Sequence, residues 1–206
     1  MRQVLVLSVL MVTFILPAQK MVVKTIEVSK SPFVQIDTKN CYSIALETVD
    51  IPKITVEGFI DGEYLQNLLV NVKQVGTTVM VSAGFQPNFV FPNDKLSAHK
   101  VISISLKISI PAYLNVLLYG TSSNVNVTGE YTDLKISLSD GRCTFEGVGE
   151  NVSISTQSGN IDLITKNADI RAISKYGQIE REVMPSGDNH FTLNSVSGNI
   201  NIRKTE

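Results

Sequence analysis

From residue 21 to the C-terminus, apolar and polar residues alternate with a period of two, the signature of strands that bury one face. The clearest runs are 22–28 (VVKTIEV), 33–38 (FVQIDT), 42–48 (YSIALET), 54–60 (ITVEGFI), 68–74 (LLVNVKQ), 78–83 (TVMVSA) and 101–110 (VISISLKISI). Valine, isoleucine and threonine dominate them, as a half-buried pleated surface favours. Helical spacing is scarce, and only 63–69 (EYLQNLL) offers a turn or two of helix. The pattern predicts an all-β protein.

The second half of the chain repeats itself. Gly141, Gly159 and Gly177 stand 18 residues apart, Gly198 follows after 21, and one step back from Gly141 lies Ser123. Two and four residues after each marker come Val125 and Val127, Cys143 and Phe145, Ile161 and Leu163, Ile179 and Arg181, Ile200 and Ile202. Before each marker come Val116 and Leu118, Leu134 and Ile136, Val152 and Ile154, Ile170 and Ala172, Phe191 and Leu193. Every one of these slots is apolar except that of Arg181. Two short strands and two turns fill one such unit, so each unit has the length of one flattened coil, and successive coils would stack at the ~4.8 Å strand spacing. The expected architecture is an N-terminal β-meander or sandwich-like region, residues 19–98, continuing into a β-solenoid of ~18-residue coils over 99–206, the two forming one continuous domain.

The glycines mark turns expected to need positive φ, with Asp140-Gly141, Ser158-Gly159 and Ser197-Gly198 as turn pairs. Asp-Gly between alternating residues is also a hairpin signal, so an antiparallel two-sheet sandwich is the alternative. The longer last unit places its extra residues in 184–190 (MPSGDNH), read as a polar loop on one edge. Cys143 occupies an inward slot of the repeat and should be a small buried hydrophobe, which leaves a bridge to Cys41 the less favoured reading.

The Ser-Gly-polar-Ile-polar-aliphatic pattern through 141–202 is similar to the bacterial "putative adhesin" β-strand-repeat family, a domain of unknown function. The strands ISISLKISIP and AYLNVLLYG also look like that family, and the likeness runs from about Phe33 to Arg203. The resemblance implies an exported, solenoid-like all-β domain and carries over no catalytic residues. The segment YGQIERE departs from the pattern by placing Arg181 in an inward slot.

The start of the chain bears on location. Arg2 precedes an apolar run from Val4 to Leu16, then Pro17 and Ala18, which reads as a signal peptide over 1–18. That run is too short to span a bilayer, so no membrane span is expected after cleavage. The ending LPAQK looks like secreted proteins of Bacteroidetes. The expected location is the periplasm or the cell surface. With 18 Lys and Arg against 19 Asp and Glu, and no basic block, the chain lacks the footprint of a nucleic-acid binder.

Catalytic constellations are hard to find. His99 and His190 lie in polar stretches outside any metal or nucleophile motif, and no phosphate loop, GxSxG elbow or CxxC pair occurs. No catalytic, cofactor-binding or metal residues are assigned, no cofactor is expected, and the chain is read as a non-enzyme. The best carboxylates are Asp162 and Glu180, which share an outward offset one coil apart, so stacking would bring them about 5 Å from each other. Thr144 and Asn201 occupy the same column, so it is polar rather than specifically acidic. The pattern breaks at 84–100 (GFQPNFVFPNDKLSAHK), a long loop carrying Phe85, Phe89 and Phe91. These rings either cap the open end of the stack or contact a glycan or cell-envelope protein. The expected function is an exported, adhesin-like interaction domain. A periplasmic envelope-sensing or structural protein and a carbohydrate-active enzyme are the alternatives.

Overall fold

The computed structural model of the chain describes residues 20–28, 32–62, 65–90 and 102–205. Its strands follow the alternation closely. They are β1 (Lys20–Glu27), β2 (Phe33–Asp37), β3 (Ser43–Val49), β4 (Lys53–Gly62), β5 (Leu68–Val75), β6 (Thr78–Phe85), β7 (Ile102–Pro111) and β8 (Leu114–Tyr119). There follow β9 (Asn124–Leu138), β10 (Cys143–Thr156), β11 (Ile161–Thr165), β12 (Asp169–Ser174), β13 (Ile179–Arg181), β14 (His190–Ser195) and β15 (Ile200–Lys204). The one helical turn described, Leu65–Asn67, is a single 3-10 turn within 63–69, the one stretch whose spacing offered any helix. The signal-peptide reading, Phe91 and His99 fall outside the described residues.

Hydrogen bonds join all the strands into one sheet with two ladders. One ladder runs β1, β4, β7, β3, β9, β10, β11, β15, β13. The other runs β5, β6, β2, β8, β9, β10, β14, β12. β9 and β10 serve both, because each is long and passes a glycine of positive φ near its middle, Gly129 at 113° and Gly147 at 149°. There a side chain would strain the backbone and collide with the neighbouring strand. The alternating residues of both ladders face inward and form one core that extends from Val34 to Ile202.

Within the repeat the pairing is parallel, with the 18-residue offset read from the sequence. Val125 pairs with Cys143, Cys143 with Ile161, and Leu134 with Val152. The hairpin alternative would have made these pairs antiparallel. Antiparallel pairing is instead confined to the N-terminal end, between β1 and β4, β4 and β7, and β5 and β6. β2 and β3 depart from the expected meander. They pair in parallel with β8 and β9, placing Val34 beside Val116 and Ile44 beside Val125, and so add a rung to the stack.

The order of the last two rungs is reversed. β14 lies between β10 and β12, and β15 lies between β11 and β13. The C-terminal rung is thus interior and the rung before it is outermost. Side chains give the reason. Phe191, Leu193, Ile200 and Ile202 are each at most 1% exposed, and the Phe145 and Phe191 rings meet edge to face at 5.6 Å. At the end of the stack Arg181 is exposed and its Nη1 donates to the Ile170 carbonyl at 3.2 Å. An interior position would have buried that guanidinium without a counter-charge. The segment 184–190, expected to be a merely polar loop, carries Met184 against the core, and the Pro185 carbonyl accepts from the Ala168 N–H.

The repeated glycines have a different cause from the one expected. Gly141, Gly159, Gly177 and Gly198 are not among the residues of positive φ. They form a column in which a Cβ on Gly141 would overlap the Ser123 carbonyl, on Gly159 that of Gly141, on Gly198 that of Gly159, and on Gly177 that of Gly198. Close approach of stacked backbones excludes a side chain. Hydroxyls three residues earlier complete the corner: Ser195 Oγ accepts from Gly198 N–H at 2.9 Å, and Ser174 Oγ from Gly177 N–H at 3.0 Å.

Candidate functional site

Asp162 projects from the outer face of β11, and parallel register fixes its row. Thr144 of β10 lies on one side with Asn126 of β9 beyond it, and Asn201 of β15 lies on the other with Glu180 of β13 beyond. The inserted rung therefore separates the two candidate carboxylates. Instead of stacking on adjacent coils they stand two strand spacings apart, about 9.6 Å along the ladder.

Although it faces outward, Asp162 is only 4% exposed. Arg142 Nε donates to Oδ2 at 2.7 Å and Asn201 Nδ2 donates to Oδ1 at 2.9 Å. Burial alone would push this carboxyl's pKa up. Hydrogen bonds from Arg142 and Asn201, with the positive charges of Arg142 and Arg203, outweigh it and hold the pKa below the ordinary value. Asp162 is thus an ionised acceptor with both oxygens engaged. A glycosidase acid must instead keep its proton near neutral pH. Around it lies an open hollow of about 470 Å³ lined by Arg142, Asp162, Glu180, Arg181, Asn201 and Arg203, among others. It brings side chains of both charge signs together on the outer face.

The sequence placed Asn201 in this row, because its offset from Asp162 is the sum of an 18- and a 21-residue step. Arg142 was not foreseen. It sits in the turn before β10, where an arginine is unremarkable, and only the fold brings its guanidinium over the next strand.

Phe85 ends β6 and packs against the core, and Phe89 stacks on it with ring centroids 4.5 Å apart and planes 10° apart. Both are half-buried. The turn between them is closed by a bond from Phe89 N–H to the Gln86 carbonyl, and Gln86 N–H donates to Asn67. Cys41 and Cys143 are both buried free thiols, and burial pushes each pKa up to about 12. His190 is exposed, with Nδ1 3.8 Å from Asp169 Oδ2. No group of three or more His, Cys, Asp or Glu among the described residues is arranged to hold a metal ion. No helix among them is long and apolar enough to cross a membrane.

No family model matches the sequence. No curated protein matches it either. Among solved structures, a "putative cell adhesion protein" of Clostridium sporogenes matches at a TM-score of 0.66 and 10% identity, covering 91% of this chain and 100% of that one. A "putative adhesin" of Bacteroides fragilis matches at a TM-score of 0.38 and 13% identity over 92% of this chain and 99% of its own. A "putative lipid binding protein" of Parabacteroides distasonis matches at a TM-score of 0.30 and 11% identity over 91% and 97%. The first similarity is one of fold, and the other two are too loose in superposition to add to it.

Proposed function

We propose that this chain is an exported, non-catalytic interaction module of the adhesin-like kind, binding a glycan or a cell-envelope protein. Residues 19–206 act as one unit, a β-solenoid of seven parallel rungs closed at its N-terminal end by antiparallel strands, released after removal of a signal peptide over 1–18. The observation that carries this reading is the state of Asp162. Its carboxylate is ionised, nearly buried and engaged at both oxygens by Arg142 and Asn201, so the most structured polar site on the outer face organises hydrogen bonds and has no proton to give. The rigid ladder beneath holds Asn126, Thr144 and Asn201 in a fixed row, which lowers the ordering cost of binding an extended partner. Phe85 and Phe89 form a second candidate contact, at the far end of the molecule.

The fold shared with the clostridial protein described as a cell adhesion protein agrees with this reading. Protease shaving of intact cells, with a periplasmic protein as control, tests its placement. Loss of this protein while the control survives is the expected result for an adhesin. Protection until the outer envelope is opened refutes a role at the cell surface. Probing immobilised 19–206 with glycan arrays and with purified envelope proteins tests the binding itself, and turnover of any arrayed polysaccharide refutes the non-catalytic reading.

A further inference from the structure

The turn from β7 to β8 contains Tyr113, the one described non-glycine residue with positive φ, at 59°. Glycine or asparagine normally takes such a position, because a bulky L-residue gains nothing there and loses conformational energy. Here the strained residue is held by two backbone hydrogen bonds, and its partner Glu130 is tied in turn to β3. Tyr113 N–H donates to the Glu130 carbonyl at 3.0 Å, the Tyr113 carbonyl accepts from Thr132 Oγ1 at 3.1 Å, and Glu130 N–H donates to Thr48 Oγ1 at 3.0 Å. The ring is nevertheless 60% exposed, so burial of the side chain does not explain the strain. Strain that packing does not explain points to use.

What the ring faces is an open hollow of about 520 Å³ between the β3 to β4 turn and the β7 to β8 turn. Its walls include Thr48, Asp50, Ile51, Pro52, Tyr113 and Glu130, and none of the described residues lining it is cationic. Ile51 is 54% exposed beside it. The Tyr113 phenol hydrogen-bonds to the Glu130 carboxylate, which raises its pKa and keeps the proton on the ring. Site and wall chemistry therefore comprise an exposed aromatic face, two carboxylate acceptors and an apolar rim.

We propose that this hollow binds a neutral saccharide, its apolar ring face lying on Tyr113 while its hydroxyls donate to Asp50 and Glu130. Carboxylate walls without a cation repel uronates and sialylated sugars, and an aromatic platform beside fixed polar groups is how a concave site takes an amphipathic ring. The inference rests on the reading of the chain as a binding module, and it names the ligand class and a site separate from the Asp162 row.

The test uses residues 19–206 on arrays of neutral gluco-, galacto- and manno-oligosaccharides and of uronate-containing ones, followed by titration of the best binder. Expected is binding to at least one neutral oligosaccharide, weakened about tenfold or more by Tyr113→Ala and by Tyr113→Gly, and weakened less by Tyr113→Phe, which keeps the ring. Tyr113→Gly, which relieves the positive φ, should melt no lower than the wild type, so lost binding would not be lost folding. A Tyr113→Gly variant that melts several degrees lower makes the residue a packing element and overturns the proposal. Neutral-sugar binding that survives Tyr113→Ala but falls with Asn201→Ala also overturns it, while leaving the binding-module reading intact. Wild-type protein that binds only uronates, or no arrayed saccharide, overturns it as well, and a protein partner found by the envelope-protein probe would then uphold the broader reading alone.

Discussion

Ile179 and Ile200 occupy the same slot of two successive repeats, and the reversed order of the last two rungs gives them opposite fates. Ile200 has β11 on one side and β13 on the other and is fully buried, whereas Ile179 has β15 alone and is 43% exposed. Truncating Ile200 to alanine removes three buried carbons, about 2.4 kcal/mol of transfer free energy. The closed surroundings add a cavity term, giving about 3 kcal/mol in all. Truncating Ile179 removes the same carbons from a half-wet edge where solvent refills the space, so the loss is about 1 kcal/mol. Urea unfolding followed by far-UV circular dichroism measures both, provided the slopes match the wild type. Stacking in chain order would put Ile179 inside and Ile200 at the end. A larger loss for Ile179→Ala than for Ile200→Ala would therefore refute the reversed order.

Further expectations follow from other parts of the molecule. Gly159→Ala sets a Cβ against the Gly141 carbonyl, backbone that cannot swing aside, and should cost about 3 kcal/mol in urea unfolding. Gly76→Ala, with open space at φ 59°, should cost only about 1 kcal/mol, and equal costs would refute close stacking as the reason for the glycine column. Asp162 has a folded pKa below its ordinary 3.8, so its stabilisation is complete above that value and is lost as pH falls through the lower folded one. Asp162→Asn should therefore be less stable than the wild type at neutral pH, with the gap narrowing in acid. A gap that stays constant with pH would rule out the ion pair with Arg142 as its source. Both thiols, with pKa values pushed up to about 12, should resist a thiol reagent in the native protein and react fully in denaturant. Rapid labelling of native Cys143 would contradict its burial.

The Asp162 row is rigid because its residues lie on paired strands, while the Tyr113 hollow is rigid because two hydrogen bonds hold the strained residue and a third ties its partner Glu130 to Thr48. Neither depends on a mobile loop. A ligand at either site therefore meets a surface already ordered, and its affinity reports the contacts themselves.

The sequence alone determined the strands, the period and the inward slots, because a residue's side of a strand is set by parity and its place in a rung by the 18-residue offset. It also placed Cys143 among apolar residues and Asn201 in the row of Asp162. Which rung lies on which was decided only in three dimensions. The apolar pairs of the repeat are nearly interchangeable, so in-register stacking is equally available to Ile161 over Ile179 and to Ile161 over Ile200. The choice fell to the burial of Phe191 and the exclusion of the Arg181 charge from the core, which depend on every neighbour at once. The same holds for β2 and β3, far away in sequence, which join the stack because their inward pairs match its pattern. The strained turn at Tyr113 left no trace in the pattern of the chain, since a positive φ in a non-glycine residue is imposed by the hydrogen bonds around it.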